Sequence, residues 1–522
     1  MGVYLLATGY SFLLVSLSVD AILQESTVGR RRMRLEELAG GNGLSAAYTA
    51  TITRLKAQKG NELALGLKAL MWVLYSERPL REEDFCYALG VEIGSTDLGL
   101  GKVPAIQTLL APCLGLLTVE ASSSTVRLVH FTLKEYLLND PTLFHSSHSA
   151  ISEVCLTYLN FGSVRALSPT PRSGPSTMPF LEYASVYWGE HAKRGMTENG
   201  KILALRLLNR FDEHISAQLL LSCNRRYTGW SASLSRVAGG PVGFTGLHGV
   251  AFLGIAEMVA PVLEMRKWDA NAADCTGNTP LIWAARRGQE EIFTALLDRE
   301  DVIPDRADRE HGRTPLIWAT MTGCEGVVKM LLGREDVNPN RTDTEYGRTP
   351  LSWAAEYGHE RIVMMLLSQE DVNPDHVDTE YGRTPLMWAS MAGREGVVKI
   401  LLEQESVNPD YSHPDCGVTP LLLAAVGGYG GIVKMLLERK DVDPDRADTE
   451  YGQTPLSRAA AWGHEGVVKM LLEREDVDPN RADTKDGRTP LAWAARNGHE
   501  GVVEMLLDRN HGRHDRIARM LL

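Results

Sequence analysis

Five tryptophans, Trp283, Trp318, Trp353, Trp388 and Trp493, fall at equivalent points of a 35-residue period. Stacked aromatics can hold bases or sugars, so the ladder is a first candidate for binding chemistry. The same tryptophans recur in phase with small core alanines, which makes them packing residues between helices. His359, His464 and His499 recur too, in turns, and are read as turn residues rather than metal ligands. The segment Gly99-Leu100-Gly101-Lys102-Val103 lacks both the spacing and the hydroxyl residue of G-x-x-x-x-G-K-[ST], so it offers no phosphate cradle. No H-E-x-x-H, nucleophile elbow or kinase signature occurs. The expectation is no catalytic residue, no cofactor and no metal.

The elements around these residues are repeats. Thr-Pro pairs stand at Thr279-Pro280, Thr314-Pro315, Thr349-Pro350, Thr384-Pro385, Thr419-Pro420, Thr454-Pro455 and Thr489-Pro490, and Thr245-Gly246-Leu247-His248 is a worn eighth copy. A period of this length means a solenoid, whose units fold only by stacking and present one long concave face. Threonine is a good N-cap, and proline at the first helical position loses only an N–H that would be unpaired anyway. A glycine nine residues after each threonine, from Gly288 to Gly498, ends the first helix with positive φ. A second helix follows, such as Val467 to Leu472, and a glycine two residues before each Thr-Pro marks a tight turn.

Gly487 to Val503 resembles the ankyrin-repeat signature through both helices. The resemblance implies a mostly α solenoid with β-hairpin fingers over 241–509, eight repeats with the first degenerate, and binding of protein partners. The histidine usual after Thr-Pro-Leu survives only as His248, which puts the family's Thr–His hydrogen-bond network in doubt. Binding is expected on positions that vary over the fixed frame. At the ends of the first helices these are Arg286, Arg287, Met321, Glu356, Tyr357, Met391, Trp462, Arg496 and Asn497; at the fingertips they are Tyr346, Tyr381 and Tyr451.

Residues 61–140 read as three helices and a hairpin, which is a winged helix (α+β). The helices are Glu62–Tyr75, Glu82–Leu89 and Val103–Cys113; the strands flank Ser122-Ser123-Ser124, and Leu133–Leu138 closes the domain. A DNA reader would need Arg, Lys, Asn or Gln on the third helix, which holds one glutamine and no charge. The runs Ala69-Leu70-Met71-Trp72 and Val129-His130-Phe131-Thr132 resemble the winged helix, named after GPI inositol-deacylase, that follows the NACHT module in fungal STAND-type signalling proteins. Phe180 to Ala192 resembles the helix joining that domain to ankyrin arrays, and Phe12 to Leu17 the tail of a NACHT module. The chain thus resembles the back half of such a protein, as a truncated product or a stand-alone regulator. The resemblance implies that a ligand on the array loosens a closed state, with a NACHT-type NTPase switch supplied in trans.

The remaining organisation is a helical remnant at 1–60, a helical connector at 141–240 with a Pro/Ser linker at 167–179, and a tail or partial cap at 510–522. Leu203 to Ser222 is expected to cap the first repeat. Val3 to Leu23 is apolar, but no basic residue precedes it, Asp20 interrupts it and no cleavage signal follows; it reads as a buried helix. Arg30 to Arg34 is a nuclear signal or a solvated face. A net charge of −12 argues against bulk nucleic-acid binding. Seven scattered cysteines without C-x-x-C spacing fit a reducing compartment, so a cytoplasmic location is expected, with the nucleus left open. The leading expectation is a non-catalytic interaction scaffold or sensor. The alternatives are a winged-helix DNA-associated regulator and a scaffold anchored in a membrane through Val3–Leu23.

Overall fold

The computed structural model describes residues 27–30, 43–99, 101, 103–140, 143–168, 177–228, 242–265 and 268–509. The apolar N-terminal segment, the arginines at 31, 32 and 34, most of the Pro/Ser linker and the tail from 510 lie outside the described residues. The chain divides after Asp269 into two compact units. The first, worn repeat, which the sequence begins at 241, lies within the first of these units: its helix Gly246–Leu253 packs on the connector. A Cβ on Gly246 would stand 2.4 Å from the Leu208 carbonyl oxygen, so only glycine allows this approach.

The N-terminal unit begins with helix Gly43–Lys56, then the winged helix: Asn61–Tyr75, Glu82–Gly90, Ile106–Leu110, an antiparallel hairpin of Leu117–Glu120 with Thr125–Leu128, and Phe131–Leu138. Glu82, Glu83 and Asp84 open the second helix, where carboxylates favour the positive end of the dipole. Asp84 is fully buried and accepts from Arg78 at 3.2 Å and Arg81 at 3.3 Å. The third helix is shorter than the spacing predicts. Pro104 biases Val103 toward extended backbone, and Pro112 falls in a separate 3-10 turn at Ala111–Cys113. Its Ile106 and Leu109 are buried, while Gln107 and Thr108 face outward. The hairpin register runs Leu117↔Leu128 to Glu120↔Thr125.

The connector helices Ser147–Leu159 and Phe180–Lys193 pack closely on one another, and Phe180 and Tyr183 meet Trp72 of the winged helix edge-on. The helical segment Leu203 to Ser222 falls in two helices, Glu198–Leu208 and Ile215–Thr228. Between them Phe211 is fully buried. His214 Nδ1 accepts from the Ser216 N–H at 3.1 Å, and its Nε2–H donates to the Leu159 carbonyl at 3.0 Å. These contacts restart the helix with a different axis partner rather than continuing it.

The second unit is a stack of seven two-helix repeats, the first helices running from Pro280–Arg287 to Pro490–Asn497. Each Thr hydroxyl, as in Thr349, accepts from the N–H three residues on, at 3.2 Å for Ser352. First helices bury their Leu and Ala, for example Leu351, Ala354 and Ala355; second helices bury pairs such as Ile362 and Val363. The fingers are short hairpin turns. Each is closed by a bond such as Asp343 N–H to the Arg348 carbonyl at 3.0 Å, and chained to the next by Thr379 N–H to the Tyr346 carbonyl at 2.9 Å. Among the described repeats the capping Thr meets a His at Thr245 and His248, 2.7 Å apart, while Thr349 and Thr454 meet Ser352 and Ser457 instead.

Candidate functional site

Four of the five tryptophans are interior, 3% exposed at Trp283 and Trp318 and 5% at Trp353 and Trp388, while Trp493 in the last repeat is half-buried. Burying an indole leaves an N–H to satisfy. Trp318, Trp353, Trp388 and Trp493 donate Nε1–H to Oδ2 of Asp308, Asp343, Asp378 and Asp483, ten residues earlier, at 2.8–2.9 Å. Trp283 does the same to Asp274. The other oxygen of each carboxylate closes its finger: Asp343 Oδ1 accepts from Tyr346 N–H at 2.7 Å and Gly347 N–H at 3.0 Å. One aspartate therefore locks a fingertip to a helix.

The repeats themselves test this pairing. Where leucine replaces tryptophan, at Leu423, histidine replaces the aspartate, at His413, and its Nδ1 caps the finger by accepting from Cys416 N–H at 3.2 Å. Where Arg458 stands in the tryptophan position, Asp448 is kept and pairs with it at 3.2 Å.

Arginines fill the gaps between indoles. Arg348 lies 3.7 Å over Trp353 and 3.8 Å over Trp388; Arg313 lies near Trp318 and Trp353; Arg286 sits 4.6 Å from Trp283 and 4.0 Å from Trp318. Such contacts are worth most when desolvated. Burial pushes the Arg286 guanidinium down to about 10, against the pull of Asp308 and Asp274. Arg348 donates to Glu356 at 2.7 Å, and Arg313 to Glu345 at 2.9 Å. Arg383, over Tyr381 and Trp388, makes no ion pair with any described residue.

On this frame the candidate binding residues divide. Tyr357 and Tyr381 are 40% and 42% exposed, and Trp462 is 61% exposed. Tyr381 stacks on the half-buried Tyr346 at 6.1 Å, and Tyr357 on Trp353 at 6.0 Å, so Tyr346, Tyr357, Tyr381 and Glu356 gather in the middle of the array. Arg496 and Asn497 are exposed, and Asn497 donates to the Ala461 carbonyl beside Trp462. Tyr451 is half-buried under Lys485, 4.4 Å away. Met391 and Arg287 are half-buried. Met321 corrects the sequence expectation: only 7% of it is exposed, because its side chain packs inside. Arg286 is likewise engaged between rings rather than offered to a partner.

The finger aspartates and the Arg–Trp sandwich were missed by sequence reasoning. The signal was present: an aspartate ten residues before four tryptophans, lost together with the tryptophan once.

Fold and repeated site together define an ankyrin-repeat protein. Residues 247–343, 335–415 and 404–483 match the family model for ankyrin repeats, and 486–522 match the single-repeat model. Residues 53–152 match the GPI inositol-deacylase, winged helix domain. The chain thus carries a winged helix domain of the GPI inositol-deacylase type followed by ankyrin repeats. None of the curated proteins is similar enough to count as a relative. Ankyrin repeats are non-catalytic interaction modules, so the array is a surface for binding protein. Among the described residues no helix is long and apolar enough to cross a membrane.

Proposed function

We propose that the chain is a non-catalytic scaffold or sensor whose array binds a protein partner, while the winged helix docks to a STAND- or NACHT-type switch on another chain. The observation that carries the first half is the set of exposed aromatics, Tyr357, Tyr381 and Trp462, on a frame otherwise locked by buried hydrogen bonds. Large, rigid side chains held in place lose little entropy on binding, which is why they dominate interfaces. Arg383 adds a cation on an aromatic platform without an internal carboxylate, suited to an acidic side chain of the partner. The third helix turns Gln107 and Thr108 outward and carries no charge, which favours a protein partner over DNA. The resemblance of Phe180 to Ala192 supports the switch context only by analogy.

The test is affinity capture with the full chain and with a Tyr357→Ala, Tyr381→Ala, Trp462→Ala variant of unchanged melting behaviour. A protein held by the first and lost from the second supports the reading. Identical captures on both overturn the assignment of this face. Recovery of a NACHT-type NTPase that survives the triple change but is lost on removing residues 53–152 supports the switch; its absence removes that half.

A further inference from the structure

We propose that Glu77, His148 and His191 form a binding site for one zinc-like divalent metal ion, which pins the connector to the winged helix. The sequence reading assigned no metal, and nothing in the proposed function uses these residues. Their ligand atoms all lie within 4.8 Å of one another, and they are the one such group found among the described residues. They come from three separate segments: the turn after Asn61–Tyr75, helix Ser147–Leu159 and helix Phe180–Lys193.

The geometry sets the nitrogens for a cation. His148 Nδ1 and His191 Nδ1 face each other at 2.8 Å, so one of them carries the proton between them, and a metal that displaced this proton would meet both lone pairs. His191 is fully buried, and its Nε2 meets the Tyr183 hydroxyl at 2.9 Å. With Nε2–H donating to that hydroxyl, the Nδ1 lone pair is left pointing into the cluster, the arrangement that orients metal-ligating imidazoles. Tyr183 is itself fixed, accepting from the Glu77 N–H at 3.1 Å. A cation already stands at the site: Arg194 pairs with the Glu77 carboxylate and lies 3.5 Å from His148 Nε2. Its side chain is 48% exposed, so it can swing into solvent when a metal replaces it.

Two imidazoles and a carboxylate are a zinc-type set, with a water in the fourth position. Tetrahedral bonds of about 2.0–2.1 Å place two ligand nitrogens ~3.3 Å apart, so the rings must open by roughly 0.5 Å. Binding would join residues 71 and 43 positions apart along the chain, and an ion that binds only the docked arrangement stabilises it by mass action.

The experiment uses untagged full-length protein freed of metal with a chelator, then titrated with Co²⁺ and challenged with Zn²⁺. The expected result is one equivalent of cobalt with the visible absorption of a tetrahedral site, displaced by zinc, and a zinc-dependent rise in melting temperature. His148→Gln, at a half-exposed position, should abolish the spectrum and the zinc shift while the metal-free melting curve is retained. Glu77→Gln should weaken zinc binding, and Tyr183→Phe, a positioning change, should weaken it about tenfold. The proposal is overturned if wild-type protein binds neither ion more tightly than about 0.1 mM. It is also overturned if binding persists unchanged in His148→Gln and Glu77→Gln. Melting that falls in His148→Gln with no zinc effect in wild type would show a plain hydrogen-bonded histidine pair instead.

Discussion

The two units solve the same problem, the burial of polar groups, in opposite ways. The array uses one solution many times: an aspartate caps a finger and holds an indole, and an arginine fills the space to the next indole. The N-terminal unit uses solutions that occur once. Asp84 holds two arginines, His214 bridges Ser216 to Leu159, and Tyr183 joins Glu77 to His191. A repeated solution makes a stiff frame whose variable positions are free to specialise. A set of single solutions makes each contact a separate point of failure.

The largest expected effect tests the frame. Leu351→Ala removes a side chain that is almost wholly buried between repeats and should cost about 2–5 kcal/mol in chemical denaturation. In a stack coupled through neighbours, the loss should appear in the array transition alone. A loss spread equally over both units would break the comparison.

Next comes the aspartate. Asp343→Ala uncaps a finger and leaves the Trp353 N–H unpartnered, a cost of roughly 2–3 kcal/mol. Combining Asp343→His with Trp353→Leu copies the native His413 and Leu423 pair. The double change should restore a good part of the loss caused by either alone, read as a coupling energy in a double-mutant cycle. Strict additivity would mean that the paired change in the chain is coincidence.

Acid sharpens the contrast. Burial, with help from Arg165, pushes His214 down to about 4 against its bond to the Leu159 carbonyl. Its folded value is depressed, so its stabilising share is complete above the ordinary histidine value and falls as pH drops from about 6.5 toward 4. The cost by pH 4 is about 3 kcal/mol in the N-terminal unit. In the array, burial opposes but hydrogen bonds from Asp486, Trp493 and Arg488 outweigh it, holding the Asp483 carboxyl below its usual range; that bond is lost only at lower pH. Acid unfolding followed by circular dichroism should therefore lose the N-terminal unit first.

The smallest effect concerns the sandwich. Arg348→Lys keeps the charge but loses the flat guanidinium between Trp353 and Trp388, and should cost about 1 kcal/mol.

The contrast also explains what could be read from the chain. A period of 35 residues prints caps, helix ends and core positions seven times over, so the array and its Thr-Pro starts were visible at once. The Asp–Trp bond was also printed, but aspartate ahead of a turn looks like ordinary turn chemistry until its second oxygen is placed. Met321 was misplaced because being variable at a helix end says nothing of which way a side chain turns. The winged helix was legible from its element order, its third helix too long by the residues flanking Pro104 and Pro112. The histidine cluster was not legible: His148 and His191 are 43 residues apart and Arg194 and Glu77 are 117 apart, with no repeat to bring them into register.

The central claim is that a locked array presents its exposed aromatics to a protein. Hydrogen–deuterium exchange of the full chain, alone and saturated with the captured partner, tests it directly. The account predicts slowed exchange at the fingers of Tyr346 and Tyr381 and at the helix ends of Tyr357 and Trp462, with the second helices unchanged. Protection on the second helices, or only in residues 53–152, would contradict it.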